Sequence, residues 1–156
     1  VNNIWISPVV SNPDSAYGFY NVEGITSKFS AYHGYWPNSF TKVSRHFGGA
    51  PALKEMVQTA HKQDMNVTLD FIANHVHESH PVYQANKDKG WATNLYLPDG
   101  TLNTEKWDEH RLTTWFDVFL PSLNLEKQSI TEFLVACFVL IMKFLKPQKD
   151  IFGTKT

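Results

Sequence analysis

Asn66-Val67-Thr68-Leu69-Asp70-Phe71-Ile72, followed at once by Ala73-Asn74-His75, decides how this chain is read. The first seven residues are rich in apolar and β-branched side chains and read as a buried strand ending in a polar loop. Just before it, Leu53, Met56, Val57 and Ala60 recur at i, i+3, i+4 and i+7. That spacing gathers them on one face of a helix, with Lys54, Glu55, Gln58 and Lys62 on the other. Pro51 suits the first turn of such a helix. Further back, Ile4-Trp5-Ile6 with Val9-Val10 reads as another buried strand, interrupted by Pro8 and closed by Ser11-Asn12-Pro13-Asp14. Strand, helix, strand is a βαβ unit, which predicts parallel strands and a right-handed crossover.

A parallel unit also predicts where a site lies. Loops leaving the C-terminal ends of parallel strands share one face, and ligands bind there. His33 to Trp36 and Asn74 to His80 are therefore expected on the same face despite their separation. The residues from Ser11 to about Pro51 are rich in Gly, Pro, Asn and Ser and predict a long loop without a continuous element.

Beyond Val76 no long periodic segment is present until about Leu123. Leu95-Tyr96-Leu97 and Thr101-Leu102-Asn103 flank Pro98-Asp99-Gly100 and predict a small hairpin. Ser129-Ile130-Thr131-Glu132 matches a capping box and predicts a helix start. The ten residues Phe133 to Met142 are all apolar. That run is too short to span a bilayer, and a helix without a polar face is expected to be buried all round.

Composition narrows the function. The chain has 156 residues, enough for one domain, and its net charge of −1 argues against an electrostatic nucleic-acid binder. The single Cys137 excludes an internal disulfide framework and a cysteine-rich zinc site, and carries no signal of compartment. Five Trp, six Tyr and eleven Phe can fill a core, and they are also what stacking on sugar rings requires. The chain opens on Val1 in a strand-like run with no charged or signal-type segment, so a natural start and any targeting signal are expected upstream.

Four stretches, in order, carry a resemblance to the α-amylase family of glycoside hydrolases. Asn3-Ile4-Trp5-Ile6-Ser7-Pro8 resembles the family's second barrel strand. Tyr32-His33-Gly34-Tyr35-Trp36-Pro37 resembles the active-site loop that follows it. Asp70-Phe71-Ile72-Ala73-Asn74-His75 matches the D-x-x-x-N-H pattern at the end of the third strand. Leu120-Pro121-Ser122-Leu123-Asn124 resembles the motif closing the small domain inserted after that strand. The likeness covers roughly residues 1 to 135 and is expected to stop near Ala136, where a change of reading frame, altered splicing or truncation would account for the apolar run.

The resemblance implies an α/β fold: an incomplete (β/α)8 TIM barrel, second to third strand region, with the inserted small domain. The implied division is a partial barrel over 1–75, an inserted domain over 76–124, a returning helix over 125–145 and a divergent tail over 146–156. Tyr35 would be the stacking platform for the sugar ring at the cleavage point, with Trp36 beside it. His33 and His75 would hydrogen-bond sugar hydroxyls, a task that suits a ring carrying both a donor and an acceptor. Asp70 would organise the floor of the site. Asn74 would be a ligand for a structural calcium ion.

Three positions depart from the family pattern. Ser122 stands where calcium-binding members usually have Asp, Ser39 where Asp is common, and Asp64 where a helix-ending Gly is usual. His75, His77 and His80 also invite a zinc reading, which is weighed against solvated loop histidines at His77 and His80.

Glycoside hydrolysis of this type needs two carboxyl groups flanking the bond. The resemblance implies a nucleophile in a G-x-R-x-D pattern after the fourth strand and a Glu after the fifth, and neither pattern occurs here. Three readings follow: a fragment of an enzyme acting on α-1,4-glucans, inactive alone; a non-catalytic sugar-binding remnant; or a chain that complements another barrel fragment. The partner expected in each is an α-glucan or maltooligosaccharide, with no nucleic acid and no membrane. With only two barrel strands, the isolated chain is expected to expose open edges and apolar surface and to be poorly soluble.

Overall fold

The computed structural model describes residues 1–15 and 18–145. The expected βαβ unit is its frame. Strand β1 (Asn3–Ile6) pairs in parallel with β4 (Asn66–Leu69), in the register Asn3 to Asn66 through Ile6 to Leu69. Helix α1 (Gly49–Lys62) connects them. Leu53, Val57 and Ala60 are its buried residues, at the predicted spacing. Leu53 and Val57 form a core cluster with Val9, onto which Ile6, Met56, Val67 and Leu69 pack. Pro51 lies in the first turn, where a missing N–H costs nothing.

The strands are shorter and less buried than expected. Successive side chains alternate faces, so Ile6, Val67 and Leu69 turn toward α1 while Trp5 points away and is 62% exposed. Among the described residues this sheet has two strands.

The long loop does contain an element. Strands β2 (Gly18–Val22) and β3 (Ile25–Phe29) form an antiparallel hairpin closed by Glu23-Gly24. Both turn residues have positive φ, 51° and 79°, which matches the twist of a two-residue hairpin turn. The signal was an X-Gly pair between short β-prone runs. From there the loop returns to the frame, with Ser44 N–H donating to Val9 O and Ser11 N–H to Lys42 O, both at 2.8 Å. Ser39 accepts from the amides of Thr41 and Lys42, closing a local turn that asks for an oxygen rather than a charge.

Asp64 adopts the left-handed conformation (φ 54°) just past α1, where Gly is normally preferred. The Pro98-Asp99-Gly100 hairpin forms: Leu97 N–H donates to Thr101 O and Asn103 N–H to Leu95 O, while Tyr96 pairs with Leu102. A one-turn helix, α2 (Pro81–Gln84), lies between.

Helix α3 (Gln128–Met142) differs from expectation twice. It begins before Ser129, capped by Lys127 with no side-chain bond, so the capping box does not form. Ile130 is fully buried, and seating it draws Gln128 and Ser129 into helical backbone; the Glu132 carboxylate accepts from Gln128 Nε2 instead. Nor is the helix buried all round. Ile130, Leu134, Cys137 and Ile141 form one buried stripe, while Val135, Phe138, Val139 and Leu140 face solvent. The buried stripe continues past position 136, where the resemblance was expected to end, with Leu134 before it and Cys137 and Ile141 after it. No helix among the described residues is long and apolar enough to cross a membrane. The tail over 146–156 lies outside the described residues.

Candidate functional site

The C-terminal ends of β1 and β4 bring the separated motifs together. Asp70 directly follows β4, its N–H donating to Ile6 O at 3.0 Å. The Tyr35 hydroxyl donates to Asp70 Oδ2 at 2.6 Å, spanning 35 residues of sequence. This charge-assisted bond is the partner that a carboxylate at a strand end needs. The hydrogen bond to this carboxylate pushes the Tyr35 phenol pKa up, because ionising the phenol would remove the proton it donates; burial and the Asp70 charge add to the shift.

Two further hydrogen bonds hold the Tyr35 backbone. Its N–H donates to His33 Nδ1 at 2.9 Å. That assigns the neutral His33 proton to Nε2, leaving a donor at the ring's other nitrogen. His75 Nε2 lies 2.9 Å from Tyr35 O. A carbonyl only accepts, so His75 donates from Nε2. Between them, Gly34 has φ 88°, and a Cβ there would lie 2.3 Å from Pro8 O. Only glycine lets the loop pass this close to the end of β1.

His33 and Tyr35 are half-buried, with surface open to a ligand, and their rings lie 5.8 Å apart. Burial lowers the pKa of His33, and lowers that of His75 against the bond to Tyr35. His75 is 6% exposed, and its donor is committed to Tyr35 O. It braces the loop through that bond, which leaves Nδ1 as the ring's acceptor. Trp36 is also buried, packed edge-on to His33 and Phe119 at 5.3 and 4.8 Å. It supports the loop from below, because the hydrophobic cluster it forms with Ala31 and Leu120 claims its faces.

Sequence reasoning missed several participants. Asn12 Oδ1 accepts from Trp36 N–H at 2.7 Å and clamps the loop from the strand side. Phe116 lies against His75 with ring centroids 4.9 Å apart, and Trp107 against Phe116 at 4.5 Å. Their only signal was aromatic density in a segment without periodicity.

His77 and His80 are not solvated. They are 0% and 4% exposed, seated between Trp36 and Phe119 and between Phe40 and Phe133 respectively. Burial lowers each pKa to about 4. The cause is the short segment after His75, whose amides at His77 and Glu78 are tied to Pro37 O and Phe119 O. His77 Nδ1 bonds Ser79 and His80 Nδ1 caps α2. With His75 bonded to Tyr35, the three rings serve separate partners. Among the described residues no three His, Cys, Asp or Glu side chains are grouped to hold a metal.

The donor set near Asn74 does not fit calcium. Asn74 is exposed, with its amide 3.4 Å from His75 Nδ1. Ser122 is buried, and its hydroxyl donates to Thr114 O at 2.7 Å. A calcium cage needs six to eight oxygens, with carboxylates prominent among them.

Comparison with known proteins identifies the architecture. Residues 1–146 match the α-amylase catalytic domain family, past the Ala136 limit expected from the motifs. The chain is 43% identical over 74 residues to an α-amylase of Saccharomycopsis fibuligera, covering 46% of this chain and 13% of that protein. It is 30% identical over 153 residues to a cyclomaltodextrin glucanotransferase of Thermoanaerobacterium thermosulfurigenes, covering 86% and 20%. It superposes on the crystal structure of the Geobacillus thermoleovorans α-amylase complexed with acarbose with a TM-score of 0.68 and 29% identity, covering 92% of this chain and 28% of that one. The chain thus spans a fraction of the length of each protein it resembles, and that fraction, strand pair and loops together, belongs to the catalytic domain of the α-amylase family of glycoside hydrolases.

Proposed function

We propose that this chain supplies one wall of a binding site for α-1,4-glucans, and that it corresponds to the second and third strands of the family's barrel with the small domain inserted after the third. The Tyr35–Asp70 hydrogen bond carries the reading. It holds an aromatic ring at the C-terminal ends of two parallel strands, where ligands of barrel enzymes bind. In this reading Tyr35 stacks on the sugar and the Nε2 proton of His33 donates to a hydroxyl. Asp70, His75 and Trp36 hold those two in place. Residues 76–124, as the inserted domain, add Phe116 and Trp107 to the rim.

The chain contributes binding and not bond cleavage. Retaining hydrolysis needs a nucleophilic carboxylate and an acid/base carboxyl about 5–5.5 Å apart. Asp70 is bonded to Tyr35, and the G-x-R-x-D segment is absent from the sequence. Catalysis would then require strands supplied by more of the barrel, whether in a longer chain or in a complementary fragment.

Titration with a maltooligosaccharide, followed by calorimetry, tests the binding reading. Tyr35→Ala is expected to weaken binding about tenfold, the loss of one stacking ring. Unchanged binding refutes the assignment of Tyr35. Release of reducing sugar from starch by the purified chain refutes the non-catalytic reading.

A further inference from the structure

We infer that the segment inserted after the site strand is fastened to it by a neutral, buried hydroxyl latch centred on Ser122, and that this latch takes the place of a calcium ion. Residues 121–124 form the middle of three short antiparallel runs. On one side Ser122 pairs with His75, Leu123 N–H donates to Asn74 O at 2.8 Å and Val76 N–H to Pro121 O at 3.2 Å. On the other side Thr93 N–H donates to Ser122 O and Asn124 N–H to Trp91 O, both at 2.9 Å.

Side-chain hydroxyls complete the fastening. Ser122, 1% exposed, donates to Thr114 O at 2.7 Å. The Thr114 hydroxyl, equally buried, donates to Asn103 O at 3.1 Å and accepts from Lys106 N–H at 2.9 Å. Thr93 Oγ1 donates to Thr113 O and accepts from Trp115 Nε1. Every group bonded in this chain is uncharged. A divalent cation placed here would be desolvated with no carboxylate to compensate it, a cost that a satisfied network of neutral bonds avoids. Asn74, the remaining side chain expected to bind the ion, is exposed, with its amide beside His75 Nδ1.

The inference rests on family membership and on these hydrogen bonds, not on the sugar-binding reading, so either can fail alone. Thermal unfolding of the whole chain is followed in EDTA and in calcium chloride, with a calorimetric titration of calcium chloride alongside. The expected result is coincident midpoints and no saturable heat. A midpoint that falls in EDTA, or saturable micromolar binding, overturns the replacement of calcium. Ser122→Ala is expected to lower the midpoint by about 2–4 °C, equally in both buffers. A variant too unstable to melt cooperatively counts as a larger loss of the same kind. A Ser122→Ala midpoint equal to that of the unsubstituted chain overturns the latch.

Discussion

Acidification tests the burial of His77 and His80 directly. Each ring is enclosed by aromatic neighbours and has its pKa lowered from 6.5 to about 4. The unfolded chain therefore binds more protons than the folded chain between those values. Stability is fully present above about pH 6.5 and is lost as pH falls toward 4. A tenfold change in proton affinity corresponds to about 1.4 kcal/mol, so two rings held this far below their ordinary value set an upper bound of about 7 kcal/mol. Relaxation and water penetration around a charged ring bring the expected loss to about half that bound, roughly 3.5 kcal/mol for the pair. His33 and His75, also lowered by burial, act with the same sign. Asp14 and Asp99 do not interfere, because their carboxyls are held below the ordinary value of 3.8 and lose their contribution only at lower pH. Urea unfolding followed by Trp fluorescence, repeated from about pH 7 to about pH 4.5, measures the slope. His80→Asn keeps an oxygen to cap α2 and removes one titration, so it should remove a large part of the slope. Stability that stays flat across the window would refute the burial of these two rings.

Other substitutions address the loop, the helix end and the exposed face. Gly34→Ala places a methyl 2.3 Å from Pro8 O at φ 88° and should cost more than about 1 kcal/mol in urea unfolding, with sugar binding lost alongside. Asp64→Gly relieves a left-handed residue at the end of α1 and should raise stability by about 0.5–1 kcal/mol in the same assay. Val139→Lys changes a residue on the apolar outer face of α3 and should reduce light scattering of the purified chain while leaving its unfolding within about 0.5 kcal/mol. Scattering unchanged by that charge would show that the α3 face does not drive association.

Particular residues explain what was legible from sequence. The βαβ frame rests on local periodicity: one helical face at Leu53, Val57 and Ala60, and apolar strands on either side of it. Period and composition are properties of neighbours along the chain, so they can be read without a structure. The same holds for the left-handed turn at Asp64 and the hairpin at Asp99-Gly100. The likeness of Asp70 to His75 and of Tyr32 to Pro37 to the α-amylase motifs was enough to name the family.

Tertiary structure decided which of those residues stay accessible and which are buried holding the others. Hydrogen bonds between distant segments consume donors that look open in a sequence: His75 is bound to Tyr35 O, and Ser122 to Thr114 O. Burial depends on what packs from elsewhere, so Trp36, His77 and His80 went inside while Trp5 and the outer face of α3 stayed out. Asp70 shows the division most clearly. Its position after a strand is written in the local pattern, but its partner lies 35 residues away, and only the parallel pairing of β1 with β4 brings the Tyr35 hydroxyl within 2.6 Å.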